Sequence, residues 1–290
     1  MTPYELKSAI LSVKRWSRSD QRAPNKPLML IYALSHYAKG HEQLFHYEDE
    51  VDEQVTELLK RFGPSRKSFH PLYGFWRLIN DGFWKLENAE NCLPRKSNTD
   101  PPKSELIKNG VTGGFNDEAF KLIRANPELS IELIESIISE NFPESTIEDF
   151  SEALGLSLKP VRDNSRAPNF RRDVLRAYNY QCAVCGYDLR LDDISFGLEA
   201  AHIKWKQFHG PCSVNNGLAL CSIHHKAFDR GAMGLDSALR IRVSSILNGG
   251  EAAEKLFYRF ENHRIYQVRS SENFPSDSYL RWHQEEVFKR

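Results

Sequence analysis

The chain has 290 residues, 40% hydrophobic and 27% charged, with 39 Lys plus Arg balancing 39 Asp plus Glu for a formal net charge of zero. That length suits two domains better than one, and zero net charge argues against a blanket nucleic-acid binder. No apolar run approaches the roughly 18 residues of a membrane span, and Met1 to Trp16 carries charge where a signal peptide would be apolar, so no membrane association and a cytoplasmic location are expected.

At the start of the chain, Thr2-Pro3-Tyr4-Glu5 has the Ser/Thr-x-x-Glu form of a capping box with proline at the first helical position. Leu6, Ile10, Val13 and Trp16 follow at helical spacing, so the first helix has one apolar and one basic face. Residues 1 to 30 hold Lys7, Lys14, Arg15, Arg18, Arg22 and Lys26 against only Glu5 and Asp20. After the loop RSDQRAPNKP, the segment LMLIYALSHYA is apolar nearly all round and stops at Gly40, as a buried helix with a glycine C-cap does. Residues 61 to 77 are a second basic run, with Arg61, Arg66, Lys67 and Arg77 and no acid. FWRLINDGFWKL, residues 75 to 86, places two aromatic-rich runs around Asn80-Asp81-Gly82 and predicts a small β-hairpin.

From Asn116 to Leu154 the pattern is helical again, with Leu129, Leu133, Ile137 and Ile138 as an apolar stripe. Ala125 to Leu158 contains Glu128, Glu132, Glu135, Glu140, Glu144, Glu148, Asp149 and Glu152 and no Lys or Arg. One such run is usually a solvated helix face. The contrast between runs says more: the two basic stretches suit phosphates, and the acidic one would repel a polyanion. SLKPVRDNSRAPN, residues 157 to 169, has two prolines and no apolar periodicity and is expected to link two domains, 1–156 and 169–290, across a linker at 157–168. The fold class expected is α+β, mostly helical first and mixed afterwards.

The second part carries the denser chemistry. Cys182 and Cys185 form C-x2-C, and Cys221 with His224 supplies a second ligand-spaced pair. In a reducing compartment such pairs favour zinc over disulfide. Cys182, Cys185, Cys221 and His224 give the closed Cys3His set of a structural site. Cys212, in HGPCSVNN, has no partner at ligand spacing, and Cys92 stands alone. If His224 binds metal, His225 points about 100° further round its helix and shares a face with Asp229 at i+4. A strand, loop, strand, helix unit would bring His202 and His225 together, with Asn216 holding the loop. A neutral histidine can activate water, and a neighbouring imidazole can ligate a divalent ion.

CAVCG, LEAAHIKW and HGPCSVNNGLALCSIHHKAFDRGAMGLD together resemble the HNH endonuclease family over roughly residues 170 to 236. The resemblance implies a ββα-metal fold that cuts DNA with Mg2+ or Mn2+, His202 as general base, Asn216 fixing the catalytic loop and His225 as metal ligand. Many HNH enzymes carry an acidic or histidine metal ligand immediately before the base; here that residue is Ala201, and Asp229 or Glu199 would complete the metal shell.

RAPNKPLMLIYAL, HPLYGFWRLINDGFW and VTGGF with NFPES are similar to the sulfur-binding domain that precedes HNH nucleases in type IV restriction enzymes directed at phosphorothioate DNA, over about residues 1 to 155. Sulfur in place of a non-bridging oxygen is larger, softer and poorly hydrated, on a backbone that stays anionic. A discriminating pocket is therefore apolar at the sulfur and ringed by donors for the remaining oxygens. Tyr73 with the Gly74 backbone is the candidate wall, and Arg18, Arg22, Asn25, Lys26 and Arg66 are the candidate polar contacts. Family members commonly have proline after the tyrosine and histidine before the Lys/Arg-Pro step; Gly74 and Asn25 stand there.

The function expected is a modification-dependent DNA endonuclease acting on phosphorothioate double-stranded DNA. The competing classes are an HNH enzyme reading methylated or unmodified DNA, and a nuclease-inactive zinc-containing DNA-binding protein, which Ala201 would favour. A homodimer is compatible with an HNH site that cuts one strand at a time, and the tail SDSYLRWHQEEVFKR is its candidate interface.

Overall fold

Thr2 caps the first helix as its sequence requires: its hydroxyl accepts the Glu5 N–H at 3.2 Å, and the Glu5 carboxylate accepts the Thr2 N–H at 2.7 Å. The computed structural model describes residues 1–13, 21–95, 100–161, 169–266, 268 and 270–290. It contains two compact units, Met1–Ser19 with Ala23–Val161, and Asp20–Arg22 with Arg162–Arg290. Among the described residues no helix is long and apolar enough to cross a membrane. Trp16 and Arg18 lie outside the described residues, as does the 162–168 part of the expected linker.

The first unit is built on α2 (Asn25–Ala38), which buries residues on every side from Leu28 to Leu34 and packs on α7 (Pro127–Asn141). Around them lie α1 (Pro3–Leu11), α3 (Asp52–Phe62), α4 (Leu72–Arg77), α5 (Lys103–Lys108), α6 (Asp117–Ala125) and α8 (Ile147–Leu154). The apolar stripe of α7 is spent on this core, with Leu129, Leu133, Ile137 and Ile138 all buried. Its acidic face is partly answered within the unit, where Glu132 pairs with Lys7 at 2.6 Å and Glu152 of α8 with Arg61 at 2.7 Å. A three-stranded antiparallel sheet, ordered β1 (Phe45–His46), β3 (Thr112–Phe115), β2 (Trp84–Glu87), completes the unit.

Two expectations are corrected here. FWRLINDGFWKL is not a hairpin: its first half ends α4 and continues as a 3-10 turn at Leu78–Asp81, Gly82 terminates that turn at φ +82°, and only its second half is a strand, paired with β3. A glycine after Asn-Asp serves a left-handed helix stop as well as a hairpin turn, and the two signals share the same residues. Residues 157–161 also stay with the first unit, since Leu158 is buried and the Lys159 N–H donates to Glu135 Oε1 at 2.7 Å.

The second unit centres on the antiparallel pair β6 (Leu198–His202) and β7 (Gly217–Cys221), with α9 (Phe170–Ala177) and α10 (Ser222–Asp229) packed against it. Two short hairpins, β4 (Arg190–Leu191) with β5 (Ile194–Ser195) and β8 (Met233–Leu235) with β9 (Ile241–Val243), and the helices α11 (Glu251–Leu256) and α12 (Asp277–Glu286) surround it. The tail proposed as an interface is α12, whose apolar side is used internally. Leu280, Trp282 and His283 are buried, the His283 ring stacks on Phe228 at 3.7 Å, and Trp282 packs on Trp205 and Phe208.

Candidate active site and metal centre

β7 ends on Cys221, which is also the residue before α10, so strand and helix deliver Cys221 and His224 to one place, one helical turn apart. The Cys182–Cys185 turn is pinned alongside by the Ala183 N–H, which donates to Ala219 O of β7 at 2.7 Å. The three sulfurs and a nitrogen of His224 lie within 4.8 Å of one another, and among the described residues they form the one such His/Cys/Asp/Glu cluster that could hold a metal. His224 Nδ1 is 3.1 Å from Cys221 Sγ and 3.6 Å from Cys182 Sγ, near the roughly 3.5 Å edge of a tetrahedron with metal–sulfur and metal–nitrogen bonds of about 2.3 and 2.0 Å. His224 Nε2 donates to Leu256 O at 2.7 Å. That outer hydrogen bond fixes the tautomer and turns the Nδ1 lone pair toward the sulfurs, as metal-binding histidines require. Hydrogen bonds from Cys182, Cys185 and His224 push the Cys221 thiol toward thiolate. The donor set and its outer shell thus fit a tetrahedral ion. Cys212 is not part of the cluster.

His202 ends β6 opposite Gly217. Its ring stacks on Phe170 of α9 at 4.1 Å and 17°, and its Nε2 is 3.4 Å from Cys212 Sγ. A Cβ at Gly217 would lie 2.4 Å from Val174 and 3.2 Å from Phe170, so the helix closes on the strand at the point where the histidine stands. Asn216, wholly buried, organises the loop between the strands. Its Oδ1 accepts the Lys204 N–H at 2.8 Å, its Nδ2 donates to Lys204 O at 3.0 Å and Pro211 O at 2.9 Å, and its backbone carbonyl accepts the Ile203 N–H.

His225 is clamped between two acids, Nδ1 against Glu199 Oε2 at 2.5 Å and Nε2 against Asp229 Oδ2 at 3.2 Å. Burial opposes the ring's charge, but Asp229 and Glu199 outweigh it and carry the imidazole up to about 10. The His225 hydrogen bond, with a further one from Ser222, holds Glu199 below the usual carboxylate range. Glu199 and His202 are three residues apart on β6, so their side chains leave opposite faces of the strand. The described contacts therefore tie His225 to Glu199 and Asp229, and His202 to Phe170 and Cys212. Both ring nitrogens of His225 are thus taken by carboxylates on opposite edges of the ring, so the three side chains form a hydrogen-bonded clamp and not a preformed metal cluster.

In the first unit, Tyr73 and Gly74 lie on α4 against the start of α2. Asn25 Nδ2 donates to His70 O at 3.0 Å, and a Cβ at Gly74 would lie 2.4 Å from Asn25 O. The Arg77 guanidinium covers the Tyr73 ring at 4.6 Å and pairs with Asp100 at 2.6 Å, while Arg95 reaches the Tyr73 hydroxyl at 3.5 Å. Lys26 pairs with Asp81 at 2.6 Å, and Arg66 is exposed. Arg22 is placed elsewhere, in the second unit: its N–H donates to the Glu286 carboxylate at 2.8 Å, its Nη1 donates to Glu286 O, and its guanidinium lies over Trp205 at 4.2 Å. Nothing local to Arg22 announces a partner 264 residues away. Phe170, Cys212, Glu199 as the His225 clamp, and Arg77 are contributors that motif spacing does not reveal.

The family model for the ScoMcrA-like DNA sulfur-binding domain matches residues 3–159, and the HNH endonuclease model matches 182–236. Among solved structures, the sulfur binding domain of ScoMcrA complexed with phosphorothioated DNA is similar at 21% identity and TM-score 0.44, over 51% of this chain and 97% of that one. The corresponding domain of SprMcrA gives 19% and 0.44, over 54% and 95%. The type IV phosphorothioation-dependent restriction endonuclease ScoMcrA gives 19% and 0.43, over 59% of this chain and 33% of that chain, so the protein spans about a third of that length. No curated protein matches. The two family matches fall one in each unit: the chain belongs to the ScoMcrA-like DNA sulfur-binding domain family and carries an HNH endonuclease domain.

Proposed function

We propose that the protein is a modification-dependent endonuclease of double-stranded DNA, in which the first unit binds a phosphorothioate linkage and the second hydrolyses a phosphodiester. The observation that carries this is the His202–Asn216 arrangement, an imidazole at a strand end beside a loop locked by a buried carboxamide, within the residues matched to HNH endonucleases. His202 takes the proton of the attacking water, and Asn216 keeps the backbone on either side of it in place. His225 and Asp229 are the residues that would hold Mg2+ or Mn2+, His225 giving up one of its two carboxylate contacts to present a lone pair; when bound, the ion supplies a Lewis acid that polarises the scissile phosphate. Cys182, Cys185, Cys221 and His224 hold a structural zinc.

The Tyr73 ring with the Gly74 backbone forms the apolar seat for sulfur. Asn25, Lys26 and Arg66 are the contacts for the remaining oxygens; Arg18, the other candidate, lies outside the described residues. Arg77 above Tyr73 supports this by setting a cation beside that wall. Two copies acting together would cut both strands, and the cytoplasm is the expected compartment.

The test uses matched phosphorothioate and plain duplexes with Mg2+ or Mn2+, scoring binding and cutting separately. Selective binding with cutting close to the modification is expected. Equal binding to the two duplexes would overturn the sulfur assignment, and selective binding without cutting would overturn the nuclease assignment.

A further inference from the structure

We infer that the outward face of the β4–β5 hairpin is an interface between two copies of this chain. Leu191 stands opposite Ile194, and two residues further along the hairpin the Phe196 N–H donates to Leu189 O. Side chains opposite one another, and those two apart along a strand, share a face, so Leu189, Leu191, Ile194 and Phe196 lie together. They are 54%, 77%, 74% and 50% exposed. The alternate positions turn the other way: the Ser195 hydroxyl is buried, and the Arg190 guanidinium lies over the Tyr180 ring at 5.5 Å. The hairpin thus reverses the usual order of a half-buried sheet, with its polar residues toward its own unit and its apolar ones toward solvent. Single exposed apolar residues are ordinary, but four on one face of a small sheet mark a surface that something covers.

The charges around the face choose the occupant. Asp192 and Asp193 form the exposed turn, and Asp188 is exposed beside Leu189, so a polyanion or an anionic lipid surface is repelled. At the other end of the hairpin the exposed Arg171 donates from Nη2 to Leu198 O at 2.9 Å, two residues beyond Phe196. A two-fold contact needs only one self-complementary patch. Two such hairpins, stacked about 10 Å apart with their turns pointing in opposite directions, cover both apolar faces. The same arrangement brings Asp192 and Asp193 of each copy to the Arg171 end of the other. Four side chains are the centre of an interface rather than the whole of one, which commonly takes about 800 Å2 from each partner, so the association is weak and concentration-dependent. The hairpin belongs to the HNH-bearing unit, and the contact therefore pairs two nuclease sites. That consequence rests on the proposed nuclease function, whereas the contact itself does not.

The experiment is sedimentation velocity of the full-length, zinc-loaded protein over about 1–200 µM, the range of weak association, where a monomer–dimer equilibrium is expected. Leu191→Asp and Ile194→Asp, at exposed positions, are each expected to weaken the dimer about tenfold or more, with melting curves unchanged. Asp193→Lys and Arg171→Glu are each expected to weaken it as well, and the two together to restore it, because the swapped pair meets again across the two-fold. On a phosphorothioate plasmid, Leu191→Asp is expected to leave nicks where the wild type gives double-strand breaks. A wild-type protein that stays monomeric across the range, or Asp variants that associate as the wild type does, would overturn the inference. Loss of duplex binding in the Asp variants with no change in mass would overturn it too, by giving the face to DNA. Dimers that cut no duplex would support the contact while overturning the nuclease assignment.

Discussion

Asn216 grips Lys204 from both ends of its carboxamide, accepting from the backbone N–H at 2.8 Å and donating to the backbone carbonyl at 3.0 Å. This ladder-like pair, inside a wholly buried site, joins the exit of β6 to the entry of β7. Replacing Asn216 by Ala strands the Lys204 amide and the Lys204 and Pro211 carbonyls, each costing about 1–3 kcal/mol when buried without a partner. Asn216→Ala is expected to lower the melting temperature of the second unit and to remove cutting, as followed by calorimetry and a duplex-cleavage assay. Asn216→Asp keeps the acceptor and loses both donors, so it is expected to be no better.

The adjacent histidines of α10 are not interchangeable. His224→Ala and Cys182→Ser are expected to abolish zinc binding and to unfold the second unit, since a structural ion contributes folding energy directly. His225→Ala is expected to keep one zinc per chain and the native melting profile while losing cutting. Metal content by atomic emission, together with thermal denaturation, separates the two classes. An H225A protein without zinc would contradict this division.

His283 gives the second unit an acid limit. Its ring is fully enclosed against Phe228, and burial, outweighing its hydrogen bond to the Phe228 carbonyl, lowers it to about 4 from an ordinary 6.5. The folded pKa is depressed for a group that is charged in its acidic form, so the unfolded chain binds the extra proton between these values. The stability this histidine contributes is therefore full above pH 6.5 and falls as the pH drops toward 4, by about 3 kcal/mol over the whole window. Melting curves of the second unit across that range should show the slope, and His283→Phe should flatten it.

Gly74→Ala would place a methyl 2.4 Å from Asn25 O, in contact with backbone that cannot yield freely. Displacement of the start of α2 and loss of phosphorothioate binding are expected. Tyr73→Ala is the gentler probe: about a tenfold loss of affinity for the phosphorothioate duplex, or about 1.4 kcal/mol, with affinity for plain duplex unchanged. Arg66→Ala should weaken both duplexes alike and reduce the slope of log K against log salt by about 0.9. Fluorescence titration at several salt concentrations reads all three.

Legibility in the sequence followed the range of the interactions. The capping box at Thr2, the all-apolar α2, the α7 stripe and the two ligand-spaced pairs are signals carried within a few residues, and each appears where the periodicity or spacing puts it. The segment 75–81 was ambiguous because short aromatic runs suit helix and strand alike, and packing decides between them. The clamp of His225 by Glu199 joins residues 26 apart, and the seat of His202 requires Phe170 and Cys212 from other elements. Such partners are chosen by the tertiary fold, and no local pattern encodes them.

Arg22 has a consequence for how the chain is divided. Three residues near the amino terminus belong to the second unit, although the chain on both sides of them belongs to the first. The HNH-bearing unit is therefore not one continuous stretch of polypeptide. A fragment beginning at Asn169 would contain every residue proposed for its chemistry and yet lack the guanidinium that lies on Trp205 and meets Glu286. A cleaved chain whose two pieces remain associated would retain it, so severing the covalent link between residues 161 and 169 and deleting what precedes it are different operations on this fold.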